Sequence, residues 1–148
     1  MPYRLTTFND LSVGQQASFT KTITEADLSH FVAITGDVNP LHVDQEFAKD
    51  TFFGSRIAHG MLSASLFSTL VGMKLPGLGA IYRSQTLEFL KPVRIGDTIT
   101  AIFEVESIDA AANQIEMASR IDIDDLIVEC CAEAEQMKCI DADAESVQ

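Results

Sequence analysis

Three segments in the second half of the chain alternate apolar and polar residues with period two. Ile99, Ala101, Phe103 and Val105 alternate with Thr98, Thr100, Glu104 and Glu106, with Ile102 the one intruder. Ile115, Met117, Ile121 and Ile123 repeat the pattern, and Val128, Cys130, Ala132 and Ala134 stand against Glu129, Glu133 and Glu135. Such alternation turns one side of a strand to a core and the other to water. Ala110 to Asn113 and Asp124-Asp125 are the predicted hairpin connections. With Ile81 to Pro92, these segments predict four consecutive strands, most simply an antiparallel sheet. A weaker strand is predicted earlier, over Gln15 to Ile23.

The helical pattern lies between. Thr24-Glu25-Ala26-Asp27 has the form of a capping box, a hydroxyl followed three residues on by an acid. It predicts a helix to about Thr35, with Leu28, Phe31, Val32 and Thr35 on one face and Gly36 as its left-handed C-terminal residue. Asn39-Pro40 follows at once. Proline disfavours helical dihedrals at the residue before it, so Asp37 and His42 are expected on a turning loop. A short helix is predicted over Gln45 to Lys49. From Gly60 to Lys74 the chain is almost uniformly apolar, interrupted by Ser63, Ser65, Ser68 and Thr69. A helix apolar on nearly all sides belongs inside a core, and Pro76-Gly77 ends it. A buried helix against an antiparallel sheet is an α+β arrangement. One domain is expected over residues 1–140, with an acidic, frayed tail at 141–148. There is no internal repeat.

Composition narrows the function. A chain of 148 residues can bury about 68–70% of its unfolded surface as one domain. Ten Lys and Arg against 22 Asp and Glu give a net charge of −12, which argues against a general nucleic-acid surface. An anionic ligand would need a local basic patch, for which Lys74, Arg83, Lys91 and Arg94 are candidates; solvated strand ends are the other reading. Cys130, Cys131 and Cys139 are odd in number and lack both disulfide-framework and metal-site spacing, which points to a reducing compartment. Met1 to Leu11 has no apolar run of signal-peptide length. The apolar stretch Met61 to Met73 is too short to span a bilayer. A cytoplasmic protein without membrane partners is expected.

The candidate chemistry sits in Gly36-Asp37-Val38-Asn39-Pro40-Leu41-His42 and in His59-Gly60-Met61. Adding water to an α,β-unsaturated carbonyl needs a base for the water proton and an acid for Cα, and Asp37 and His42 could supply both. Alternatively, Asp37 caps a turn and His42 packs beneath it. Gly60, at a helix start, would let a ligand carbonyl approach backbone N–H groups; it could also be a plain glycine at a helix start. His59 reads as structural rather than catalytic. A mid-helix serine such as Ser68 usually bonds its own preceding turn. Gly77 to Gly79 lacks the strand-before, helix-after context of a nucleotide loop.

Taken in order, several stretches resemble the MaoC-like family of (R)-specific enoyl-CoA hydratases, including short bacterial enzymes that feed polyhydroxyalkanoate synthesis. They are Asp37 to Asp44 (DVNPLHVD), Ile57 to Leu62 (IAHGML), Ala64 to Ser68 (ASLFS), Leu75 to Gly79 (LPGLG), Ile81-Tyr82, Gln85 to Phe89 (QTLEF) and Pro92 to Asp97 (PVRIGD). The resemblance spans about residues 12 to 136. It implies a hot-dog fold, a long central helix wrapped by an antiparallel sheet, in a homodimer or higher oligomer with sites near the subunit interface. It places the catalytic pair on Asp37 and His42, a supporting serine at Ser68 and an oxyanion donor at the Gly60 amide. Asn39, Arg83 and Lys91 are the expected contacts to an acyl-CoA thioester, and no metal or redox cofactor is implied. His42 is favoured as base toward water and Asp37 as acid toward Cα.

Two stretches depart from the family's pattern. Gly54-Ser55-Arg56 replaces a more acidic, proline-containing run, and Arg83 stands where an apolar residue is expected; both bear on the grip on coenzyme A. The implied reaction interconverts trans-2-enoyl-CoA and (R)-3-hydroxyacyl-CoA. An acyl-CoA thioesterase and a non-catalytic acyl-CoA-binding subunit are the alternatives on the same fold.

Overall fold

The long strands that alternation predicts are the scaffold. The computed structural model describes residues 6–123, 126–130 and 139–141. In chain order the elements are β1 (Gln16–Thr22), α1 (Glu25–Thr35), α2 (Pro40–Val43), α3 (Gln45–Lys49), α4 (Gly60–Ala64), α5 (Leu66–Met73), β2 (Ala80–Tyr82), β3 (Thr98–Asp109), β4 (Gln114–Ile123), β5 (Leu126–Cys130) and β6 (Cys139–Asp141). All strand pairs are antiparallel, in the order β1-β3-β4-β6-β2. Along the far edge of β4, β6 pairs near Gln114 and β5 near Ile123.

Ile99, Ala101, Phe103 and Val105 on β3, with Ile115, Met117 and Ile121 on β4, are all buried. A bulge between Val105 and Ser107 shifts the register beyond them. The connection is a tight turn in which Asn113 takes φ 55° and Ala112 N–H donates to Asp109 Oδ1 at 2.9 Å. β1 is an edge strand with no fully buried residue, which explains its weak signal. The predicted Asp124-Asp125 connection and the part of the last strand beyond Cys130 lie outside the described residues, as does 142–148.

The capping box forms. Asp27 N–H donates to Thr24 Oγ1 at 3.3 Å and Thr24 N–H to Asp27 Oδ2 at 2.9 Å, and Gly36 closes α1 at φ 75°. Lys21 of β1 also pairs with Asp27 at 2.9 Å, tying helix to strand.

Three expectations need correction. The apolar helix is not continuous: it breaks at Ser65 into α4 and α5. Ser65 Oγ donates back to Leu62 O at 2.6 Å, and Ser68 N–H bonds Ser65 O in a tighter, three-residue turn. A serine hydroxyl competing for a backbone carbonyl is the physical cause. The strand predicted over Ile81 to Pro92 stops at Tyr82, which pairs with Cys139 of β6, and residues 83–92 are not in a strand. Finally, His42 is on a helical turn rather than a loop. Pro40 at the first helical position presets φ, and Asn39 Oδ1 accepts Leu41 N–H at 3.0 Å as its cap.

α5 packs on β1, β2 and β3. Phe67 stacks on Phe103 with centroids 5.0 Å apart and planes 11° apart. Leu66, Leu70 and Val71 are buried with it, while Met61 and Met73 are exposed. Among the described residues no helix is long and apolar enough to cross a membrane.

Candidate active site

The end of α1 launches the site. Past Gly36, Asp37 N–H donates to Thr35 Oγ1 at 3.2 Å, and Asn39 N–H donates to Asp37 Oδ1 at 3.2 Å. These short-range bonds turn the chain into α2 and leave the Asp37 carboxylate half exposed. His42, on α2, donates from Nδ1 to the Ile57 carbonyl at 2.8 Å. A carbonyl only accepts, so this bond places the proton on Nδ1 and leaves Nε2 bare when the ring is neutral. The acceptor is itself held: Ile57 N–H bonds Leu41 O, Ala58 N–H bonds Val93 O, and Ile57 bridges to Arg94.

His59 joins the pair. It is 3% exposed, and its ring lies 3.8 Å from that of His42 and 4.9 Å from that of Phe31. Its Nε2 donates to the Asp37 carbonyl at 3.1 Å and stands 4.0 Å from Asp37 Oδ2. The ring therefore contacts both members of the candidate pair. Its place directly before Gly60 was the one local signal.

One carboxylate and two imidazoles within 4.8 Å of one another also have the composition of a metal site. Two imidazoles sharing an ion about 2.1 Å from each nitrogen in a tetrahedral shell hold their centroids about 5 Å apart, whereas those of His42 and His59 are 3.8 Å apart and tilted by 31°. The two imidazoles are instead in direct ring contact, tilted against each other.

His42 opens on a cavity of about 370 Å³, within the usual size of a small-ligand site. Phe53, Phe89 and Val93 give it apolar walls, with Gly60 and Ser63 from α4 and Lys91 completing them. Gly60 is the first residue of α4, so its N–H has no acceptor within the helix.

The other expected site residues are spread out. Ser68 is exposed on α5 and lines a second, open cavity with Phe31, Thr35, Tyr82 and Gln85. That cavity shares Met61 with the first and reaches the Asp37 loop through Thr35. Asn39 uses its side-chain oxygen to cap α2. Arg83 is exposed just past β2 and lines neither cavity. The basic cluster disperses: Lys74 donates to Ser18 O at 2.6 Å, and Arg94 Nη2 to Phe53 O at 3.0 Å. In the departing stretch, Arg56 ion-pairs with Glu25 of α1 and its N–H bonds Gln45, so these residues tie the loop to the helices.

Comparison with known proteins agrees with this architecture. Residues 9–125 match the MaoC like domain. An "(R)-specific enoyl-CoA hydratase" of Rhodospirillum rubrum is 52% identical over 98 residues, 66% of this chain and 68% of that protein. A "3-hydroxybutyryl-CoA dehydratase" of Methylorubrum extorquens is 42% identical over 125 residues, 84% of this chain and 80% of that protein. The unliganded R-hydratase PhaJ1 of Pseudomonas aeruginosa superposes with a TM-score of 0.83 at 37% identity, covering 93% of this chain and 85% of that one. With its helix-packed antiparallel sheet and its Asp-x-Asn-Pro-Leu-His turn, this chain belongs to the MaoC-like domain family and has the hot-dog fold.

Proposed function

We propose that the chain is an (R)-specific hydratase that interconverts trans-2-enoyl-CoA and (R)-3-hydroxyacyl-CoA. The observation that carries this reading is the convergence of Asp37 and His42 beside an apolar cavity, with the His42 proton directed to Ile57 and Nε2 left bare. Water adds its oxygen to C3 while His42 Nε2 takes the water proton. The C2=C3 electron pair moves toward the thioester, whose oxygen accepts the Gly60 N–H, and C2 receives its proton by way of Asp37. Solvent then returns a proton from the imidazolium to the carboxylate. A bare imidazole nitrogen is the right base for water near neutral pH, and an amide donor pre-aimed at the developing oxyanion needs no reorganisation.

Lys91, at the cavity wall, is the proposed contact for the phosphates of coenzyme A, with Arg83 and Asn39 further out. Ser68 supports the site from the adjoining cavity. Exposed Ile34, Phe52 and Met61 support assembly into a homodimer or higher oligomer, and the cysteine usage supports a cytoplasmic location.

The test is ultraviolet loss of the enoyl thioester when the protein meets crotonyl-CoA and longer enoyl-CoAs, with free thiol followed in parallel. Loss without thiol, giving an (R)-3-hydroxyacyl product, is expected. Thiol release would identify a thioesterase, and no change with any chain length would leave a binding subunit.

A further inference from the structure

We propose that His59 is a positioning residue for the reaction, holding the His42 ring and the Asp37 loop in register through one buried imidazole. The inference rests on the reading of Asp37 and His42 as the reacting pair and adds a third residue to it.

Burying an imidazole is costly without compensation, yet His59 is 3% exposed. Its two edges are treated unequally. Nε2 donates to the Asp37 carbonyl at 3.1 Å, which puts its proton there. Nδ1 is buried and has no hydrogen-bond partner. With the proton on Nε2, the unpaired Nδ1 presents only a lone pair to its apolar surroundings.

The ring sits between those of Phe31 and His42, with centroids 4.9 Å and 3.8 Å away and planes tilted by 48° and 31°. The Nδ1–H bond to Ile57 holds His42 within its plane, and the face of His59 blocks its tilt out of that plane. Together they leave one orientation for the bare Nε2. The same His59 holds the Asp37 backbone, whose carboxylate accepts Asn39 N–H. His59 thereby couples two groups whose elements, the loop after α1 and the turn α2, could otherwise shift separately. The titratable groups that face it are Asp37 and His42.

Two variants separate its contacts. His59→Phe keeps a ring in the stack and removes the donor; His59→Gln keeps a donor near Nε2 and removes the ring. Each is expected to lower kcat about 10–100-fold, the cost of misplaced catalytic groups, with KM changed less than about twofold. Both should move the His42 ring resonances, while exposed His30 stays put. In the wild type, long-range proton–nitrogen spectra of the three histidines should show the neutral His59 ring with its proton on Nε2, and the neutral His42 ring with its proton on Nδ1.

Wild-type kcat in both variants overturns the proposal. So does a neutral His59 whose proton sits on Nδ1. If neither variant folds, the wild-type spectra decide. His42→Ala, assayed in parallel, separates the two levels: if it retains hydration, the catalytic reading falls. If it is inactive while both His59 variants are fully active, only the positioning role falls.

Discussion

The Phe89 ring lies directly over Gly60: a Cβ built on Gly60 would sit 2.8 Å from Phe89 Cε1 and 2.9 Å from Cδ1. Both residues line the His42 cavity. Any side chain at position 60 must therefore displace the ring that walls the site. Phe89 is half exposed and can swing outward. Gly60→Ala is expected to fold, with hydration lowered about tenfold or more through lost alignment at the Gly60 amide. Truncating the ring as well, in Gly60→Ala/Phe89→Ala, should relieve the crowding. Melting temperature and steady-state hydration check this, and wild-type values for Gly60→Ala alone would contradict the contact.

Asp37→Asn and His42→Ala remove the proposed acid and the proposed base while leaving the core untouched, since Asp37 is exposed and His42 only half-buried. Each is expected to lower turnover about 10²–10⁴-fold with an unchanged circular dichroism spectrum. Wild-type-like hydration in either one, with the fold intact, rules out that residue's role.

Asp27 makes stability depend on acid. Burial by itself would raise its carboxyl pKa. Hydrogen bonds from Lys21 and from the Thr24 hydroxyl and amide, with the Lys21 charge, outweigh burial and bring it from 3.8 down to about 2. The folded value is the lower one, so the stabilisation is complete above the unfolded value of 3.8 and is lost as pH falls toward about 2. Asp27→Ala is expected to cost about 1 kcal/mol at pH 7, the usual size of a capping interaction. That difference should shrink across this acid window. Urea unfolding at pH 7, 4 and 2.5 measures it; a difference independent of pH would count against the pairing.

Phe67 is fully buried and stacked on Phe103. Phe67→Ala is expected to cost about 3–5 kcal/mol through lost burial and a residual cavity. Equilibrium unfolding in urea reads this as a lower midpoint. A loss below 1 kcal/mol, on the order of an exposed-site change, would mean that α5 does not pack on β3 as described.

Local chemistry made much of this protein legible in its sequence. The alternation of Ile99 to Val105 and Ile115 to Ile121 predicts strands because a pleated backbone turns every second side chain the same way. Thr24 and Asp27 mark a helix start because their bonds close within one turn. The Asp37-to-His42 turn identifies the candidate chemistry because Asp37, Asn39 and Pro40 shape the backbone from within that segment.

The rest depended on partners distant in sequence. β2 stops at Tyr82, opposite Cys139 of β6, and nothing in the alternation of 83–92 records where that edge stops. The serines of the apolar helix look alike in sequence, yet Ser63 lines the His42 cavity, Ser65 interrupts the helix and Ser68 faces the second cavity. Their roles follow from helix rotation against the sheet. His59 binds the Asp37 carbonyl 22 positions away and stacks on His42 only after α2 and α4 have been brought together. Short-range bonding and periodicity are written in consecutive residues; the meeting of His59 with Asp37 and His42 is decided by packing, which no single segment encodes.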